Sequence, residues 1–253
     1  MKVIAVANQK GGVAKTATAG ALATGLKLMG YSVLAVDMDP QANLSDSMGG
    51  EESEHTLYTI LMGEDNINEA IQRDTICDLV PATIMLAGLE AELNCMGREL
   101  RLKEEIEAAE LDSKYDYMIL DTPPAMGIIT INALVAADSV VIPTMADMAS
   151  VKGIDQLNAT IRNVRKYFND KLGIDGILFT RHSSRTNIGR DIRAATEKIA
   201  ENMGTRVYDA FIRASVVVPE SNAMASDLWS YSPNSTVAND YSNFINEFLK
   251  GVG

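Results

Sequence analysis

Lys10 and Lys15 flank a pair of glycines, and Thr16 follows the second lysine directly, within Val3-Ile4-Ala5-Val6-Ala7-Asn8-Gln9-Lys10-Gly11-Gly12-Val13-Ala14-Lys15-Thr16. A β-rich run that enters a glycine-containing turn and feeds a helix opening at Lys15-Thr16 directs backbone N–H groups and the positive end of the helix dipole at one point. Such a point holds an anion. The chemistry this spacing offers is binding of a nucleoside triphosphate. Lys15 is placed to bridge the β- and γ-phosphates, and the Thr16 hydroxyl to ligate Mg²⁺. The strict G-x-x-x-x-G-K-[ST] pattern is not met, because Gln9 and Ala14 stand at its two glycine positions.

Two further runs end in carboxylates. Ser32-Val33-Leu34-Ala35-Val36-Asp37-Met38-Asp39-Pro40-Gln41 is an apolar strand that finishes in Asp37 and Asp39 before a proline turn. Tyr117-Met118-Ile119-Leu120-Asp121-Thr122-Pro123-Pro124 ends in Asp121 in the same way. Carboxylates at the C-terminal ends of parallel strands lie on the rim where open α/β sheets bind ligands. Taken alone, an Asp-Pro pair is also an ordinary turn or helix cap.

With these residues on view, the chain resembles the ParA/MinD ATPases. Lys10-Gly11-Gly12-Val13-Ala14-Lys15-Thr16 is similar to their deviant Walker A motif, K-G-G-x-G-K-T. The resemblance implies that Gly11, Gly12, Val13, Ala14, Lys15, Thr16 and Ala17 wrap the phosphates of ATP. It also implies that Lys10 reaches across an ATP-dependent sandwich dimer to the partner subunit's nucleotide. Ala14 and Ala17 depart from the motif, adding one methyl near the phosphates and removing one hydroxyl. Asp37-Met38-Asp39-Pro40-Gln41 resembles the D-x-D-P-Q segment of the ParA/Soj branch, so Asp39 is expected to position the attacking water, with Asp37 nearer the metal. Tyr115-Asp116-Tyr117-Met118-Ile119-Leu120-Asp121-Thr122-Pro123-Pro124 resembles the Walker B element. This implies that Asp121 holds Mg²⁺ through water, with Thr16 and Asp37 completing the metal set.

The resemblance continues, more thinly, to Leu249. It places Thr180, Arg181, Pro219 and Glu220 against the base, although a strand end and a proline turn account for these residues nearly as well. His182-Ser183-Ser184-Arg185-Thr186-Asn187 is similar to the family's S-R-T-N segment, which implies nonspecific DNA binding by Arg185. Arg190, Arg193 and Arg213 are the other candidate DNA contacts. The alternative is that Arg162, Arg165, Lys166, Arg190 and Arg193 only solvate helix faces.

These groups need a scaffold, and the pattern along the chain supplies one. Short apolar runs at Val3–Ala7, Ser32–Asp37, Ile76–Pro81, Tyr117–Asp121, Ser139–Thr144, Ile174–Thr180 and Arg206–Phe211 alternate with helical stretches. The helices are expected at Thr16–Met29, Ala87–Glu110, Val151–Phe168, Asn187–Asn202 and Asp240–Lys250. This is the signature of an α/β fold with a mostly parallel twisted sheet and helices on both faces, which the resemblance makes a P-loop NTPase. Internal repeats and linkers are absent, so residues 1–253 are read as one ATPase domain. With nine residues before Lys10, no N-terminal helix-turn-helix domain is expected.

Composition narrows the function further. The 253 residues carry 22 Lys and Arg against 34 Asp and Glu, a net charge of −12. A uniformly acidic surface would repel DNA, but the charge is uneven. Residues 150–206 hold 11 basic against 6 acidic side chains, a local +5, and the rest of the chain carries −17. Cys77 and Cys95 have no metal-ligand spacing and read as reduced cytoplasmic thiols. No apolar run is long enough to span a membrane. The resemblance implies ATP-driven DNA partition: a homodimer that binds nonspecific double-stranded DNA, stays with the nucleoid while ATP is bound, and is triggered to hydrolyse ATP by a ParB-like partner. The alternative is a MinD-like membrane-cycling ATPase. Against it, the C-terminal segment Tyr241–Lys250 carries an apolar stripe but only one lysine, so no stable membrane anchor is expected.

Overall fold

The computed structural model describes residues 1–73, 75–182 and 187–251. Seven strands form one parallel sheet: β1 (Lys2–Val6), β2 (Val33–Asp37), β3 (Asp78–Val80), β4 (Tyr117–Asp121), β5 (Ser139–Thr144), β6 (Gly173–Phe179) and β7 (Val207–Phe211). Their order across the sheet is β3-β2-β4-β1-β5-β6-β7. Each coincides with an expected apolar run, β1 and β6 beginning one residue earlier than expected. The first strand in the chain thus sits at the centre, between β4 and β5.

Side-chain alternation divides the core in two. Val3, Ala5 and Ala7 pack on one face of the sheet with Leu34, Val36, Met118 and Leu120. Ile4 and Val6 point the other way with Val33, Ala35, Tyr117 and Ile119. Successive residues of a strand alternate faces, and here both faces are apolar because both are covered. The first face is covered by helices that include Ile128–Ala136 and Met148–Tyr167. The second is covered by Lys15–Leu28 and Thr236–Gly251. Burying a large aliphatic side chain in such a layer contributes roughly 1.5–3 kcal/mol.

Four of the expected helices form within a few residues of their predicted ends, and Ala87–Glu110 does not. It divides into a 3₁₀ turn at Ile84–Gly88, one helical turn at Leu89–Glu92 and a helix at Arg101–Ala108. The break contains Gly97 at φ 77°, a backbone conformation that no helix continues through. Ile128–Ala136, IITINALVA, escaped the sequence pattern because it is apolar on nearly all sides and shows no helical period. Among the described residues, no helix is long and apolar enough to cross a membrane.

Candidate active site

The register of the central strands brings the site together. Val6 of β1 pairs with Asp121 of β4, and Asp37 of β2 pairs with the same Asp121. Two carboxylates therefore end adjacent strands at one level, beside the loop that leaves β1. Asn8 ties that loop down. Its Nδ2 donates to the Pro143 carbonyl at 2.7 Å, and its Oδ1 accepts the Lys10 N–H at 3.0 Å. The helix Met148–Tyr167 approaches so closely that a Cβ at Gly153 would lie 3.0 Å from Asn8 Oδ1.

Within the loop, Gly12 has φ 75° and Ala14 has φ 63°, ψ 37°, the left-handed region that glycine favours. Ala14 thus meets the glycine geometry of the motif under strain. Added Cβ atoms at Gly11 or Gly12 would meet no heavy atom within 4 Å, so the loop faces open space. Lys15 opens the helix and is buried, with Nζ donating to the Lys10 carbonyl at 3.3 Å. Burial lowers the Lys15 ammonium pKa from its usual value, against the pull of Asp121 and Asp39.

The three acidic residues are not equivalent. Asp37 is fully buried and satisfied: Oδ2 accepts the Ser45 N–H and hydroxyl, both at 2.8 Å, and Oδ1 accepts the Asp39 N–H at 3.1 Å. Burial raises its pKa to about 6, although these hydrogen bonds favour the charged form. Asp121 is equally buried, yet neither carboxylate oxygen has a hydrogen-bond partner among the described residues. Burial and then the Asp37 charge push its pKa well above the carboxylate range, opposed by the Thr16 hydroxyl and the Lys15 ammonium. A buried, unpartnered carboxylate is costly unless a cation completes it. Hard oxygen donors on Asp121 and Thr16 suit Mg²⁺, and the residues present fit that ion. Asp39 lines the open pocket, with Oδ1 accepting the Gln41 N–H at 3.0 Å.

Lys10 turns away from the phosphate loop. Its Nζ lies 2.5 Å from Asp147 Oδ2 and 3.2 Å from Ser150 Oγ. Burial alone would raise the Asp147 carboxyl, but the Lys10 ammonium and the Ser150 N–H draw it below its ordinary range.

A pocket of about 430 Å³ runs from Gly11, Gly12 and Lys15 past Asp39 to Thr180, Arg181 and Pro219. Ala14, Thr16 and Ala17 also line it. Thr180 is buried, with Oγ1 3.0 Å from the Val13 carbonyl, and Arg181 has φ 49°. Glu220 is not part of this lining. Its carboxylate takes the Tyr231 hydroxyl at 3.4 Å instead. The far wall holds residues that the motifs did not single out, among them Asn222 and Tyr241.

Of the candidate DNA contacts, only Arg193 and Arg213 have described side chains. Arg185 lies outside the described residues, as does the side chain of Arg190. Arg193 is fastened to its own surroundings, with Nε 3.0 Å from Glu197 and Nη2 3.2 Å from the Tyr208 carbonyl. Arg213 belongs to the pocket wall and forms a bidentate pair with Asp240. Among the described residues no cluster of His, Cys, Asp and Glu forms a separate metal site.

Comparison with known proteins fits this geometry. The family profile described as an AAA domain matches residues 1–174. The sporulation initiation inhibitor protein Soj of Bacillus subtilis (strain 168) is 39% identical over 251 residues, covering 97% of each chain. The chain belongs to the ParA/Soj family of partition ATPases. Another ParA/Soj relative, the chromosome partitioning protein ParA of Caulobacter vibrioides (strain NA1000 / CB15N), is 35% identical over 236 residues, covering 91% of this chain and 87% of that protein. Among solved structures, cobyrinic acid a,c-diamide synthase from Mycobacterium smegmatis with a bound ATP analogue and magnesium superposes with a TM-score of 0.77 at 33% identity. That match covers 99% of this chain and 95% of the other. The phosphate loop, Asp37 and Asp121 of the ParA/Soj motifs lie at the C-terminal ends of β1, β2 and β4.

Proposed function

We propose that this chain is an ATP- and Mg²⁺-dependent partition ATPase of one domain, whose ATP-bound dimer binds nonspecific DNA and releases it on hydrolysis. The observation that carries the reading is the buried, unpartnered Asp121 carboxylate beside Lys15, Thr16 and Asp39 at the mouth of the phosphate loop. When bound, Mg²⁺ would supply neutralisation of phosphate charge, and Thr16 and Asp121 would hold it. Loop N–H groups and Lys15 then hold the phosphates. Asp39 orients water for attack, while Asp37 holds the Asp39 backbone and Ser45 in position. Lys10 reaches the partner subunit's nucleotide, which makes ATP the signal for dimerisation. A ParB-like activator and DNA accelerate an otherwise slow turnover, and the ATP-bound form associates with the nucleoid through cations such as Arg185 and Arg190.

A membrane-cycling role has less support. The apolar stripe of the C-terminal helix, Val237, Tyr241, Phe244, Ile245 and Phe248, is buried against the core and not available to a bilayer. DNA binding and phosphate release, each with and without ATP, test the proposal. The expected result is ATP-dependent DNA binding by the natural chain, reduced in Arg185→Ala, and phosphate release lost in Asp39→Ala with ATP binding retained. Absence of ATP-dependent DNA binding by the natural chain at low salt would overturn it.

A further inference from the structure

Arg213 follows β7, and its backbone is fixed at the rim of the pocket. The Ile212 N–H donates to the Phe179 carbonyl at 2.8 Å, and the Ile212 carbonyl accepts the His182 N–H at 3.0 Å. The Arg213 guanidinium is fixed as well. Asp240 Oδ2 accepts the Arg213 backbone N–H at 3.0 Å and Nε at 2.9 Å, and Oδ1 accepts Nη2 at 2.5 Å. The Asp240 side chain is only 7% exposed, whereas that of Arg213 is 49% exposed and lines the nucleotide pocket. Asp240 therefore acts as a buried anchor, and the fork geometry sets the plane of the guanidinium.

This arrangement suits one ligand more than another. Pairing cancels most of the Arg213 charge, so it adds little to the field that attracts a DNA phosphate. Recognition of a purine depends on a fixed planar surface and on N–H donors more than on net charge. Nη1 makes no hydrogen bond among the described residues, and Tyr241, next to Asp240 on the same helix, lines the same pocket. We infer that Arg213 is a nucleotide-contacting residue on the adenosine side of the pocket, with Asp240 as its positioning residue, and not a DNA contact. This rests on the reading of the pocket as an ATP site.

The test measures dissociation constants for ATP and ADP by calorimetry, and DNA binding at saturating ATP, in the full chain. Arg213→Ala weakens ATP and ADP by the same factor, about tenfold, while DNA binding at saturating ATP stays within about twofold. Arg213→Lys keeps the charge without the fork and does not restore affinity. Arg213→Gln keeps a donor for the buried Asp240, so a normal melting curve for it shows that any loss of affinity is not a folding defect. Asp240→Asn raises KM for ATP and leaves kcat unchanged, which a merely structural defect would not do. Unchanged nucleotide affinity with lost DNA binding would overturn the inference, as would a loss confined to ATP, which would place Arg213 at the γ-phosphate. A natural chain that binds no ATP would instead defeat the underlying assignment of the pocket.

Discussion

Lys10 and Asp147 form an ion pair of 2.5 Å within one chain, joining the phosphate loop to the N-terminus of the helix Met148–Tyr167. A lysine held there cannot at the same time reach a partner subunit's nucleotide, so the role proposed for Lys10 requires dimerisation to break this pair. Asp147→Asn removes the charge but keeps the side-chain oxygen that accepts the Ser150 N–H at 2.8 Å and caps the helix. The expected outcome is a normal melting temperature and dimer formation at several-fold lower ATP, measured by analytical ultracentrifugation. Dimerisation shifted to higher ATP would show that Asp147 aids the exchange.

Ala14 places a Cβ in left-handed backbone at φ 63°, at a cost of about 1 kcal/mol relative to glycine. Ala14→Gly releases this strain and removes the methyl beside the phosphates, although the more flexible unfolded chain offsets part of the gain. The variant is expected to bind ATP more tightly, with a melting temperature equal to or up to about 4 °C above that of the natural chain. Ala14→Val, β-branched in the same conformation, lowers both.

Much of this was readable in the sequence, for physical reasons. Strands covered on both faces must be apolar throughout, so all seven could be located, and the phosphate loop and strand-end aspartates are local patterns. The pairing of Lys10 with Asp147 spans 137 positions and exists only once the sheet has formed. The motif also could not separate Asp37 from Asp121. Both end buried strands, and only Ser45, folded back onto Asp37, gives one of them a partner. The DNA contact expected at Arg213 comes from the resemblance alone, whereas its pairing with Asp240, 27 positions away on the C-terminal helix, exists only once the chain has folded.

Ser45 carries a structural load that its position in a short helix does not advertise. Its hydroxyl donates to Asp37 Oδ2 at 2.8 Å and accepts the Ala82 N–H at 3.0 Å, both in buried surroundings. Ser45→Ala leaves the Ala82 N–H unpaired and is expected to cost about 1–3 kcal/mol in urea denaturation. Because Asp37 also holds the Asp39 N–H, turnover should fall while ATP affinity stays within about twofold. An equal loss of affinity and turnover would mean that Ser45 supports the phosphate loop itself.

His182 sits buried between the rings of Phe179 and Phe211, at centroid distances of 5.3 and 5.2 Å, and its Nδ1 has no hydrogen-bond partner among the described residues. Burial, then the nearby Arg193 charge, lowers its pKa. The folded state therefore resists protonation, and the unfolded chain binds the extra proton as pH falls below about 6.5. Stability from this group is complete above that value and declines on acidification. His182→Leu should lose less of its melting temperature between pH 7.5 and pH 5 than the natural chain does. Parallel pH profiles would exclude His182 as the source.

Gly25 sets how closely the C-terminal helix docks on the phosphate-loop helix. A Cβ at this position would lie 2.2 Å from Ile245 Cδ1 and 3.0 Å from Trp229 Cη2, too close for either to remain in place. Gly25→Ala gains helix propensity, but the overlap dominates, and a net loss of about 1–3 kcal/mol is expected. Ile245 is fully buried, so Ile245→Val alone also destabilises. In the double variant the shorter side chain vacates the space that the new methyl needs, and the two losses should sum to less than their separate values. Additive losses in a thermal-melt cycle would show that the clash is relieved by a shift of the whole helix, and the pocket residue Tyr241 on that helix would then register it as weaker ATP binding.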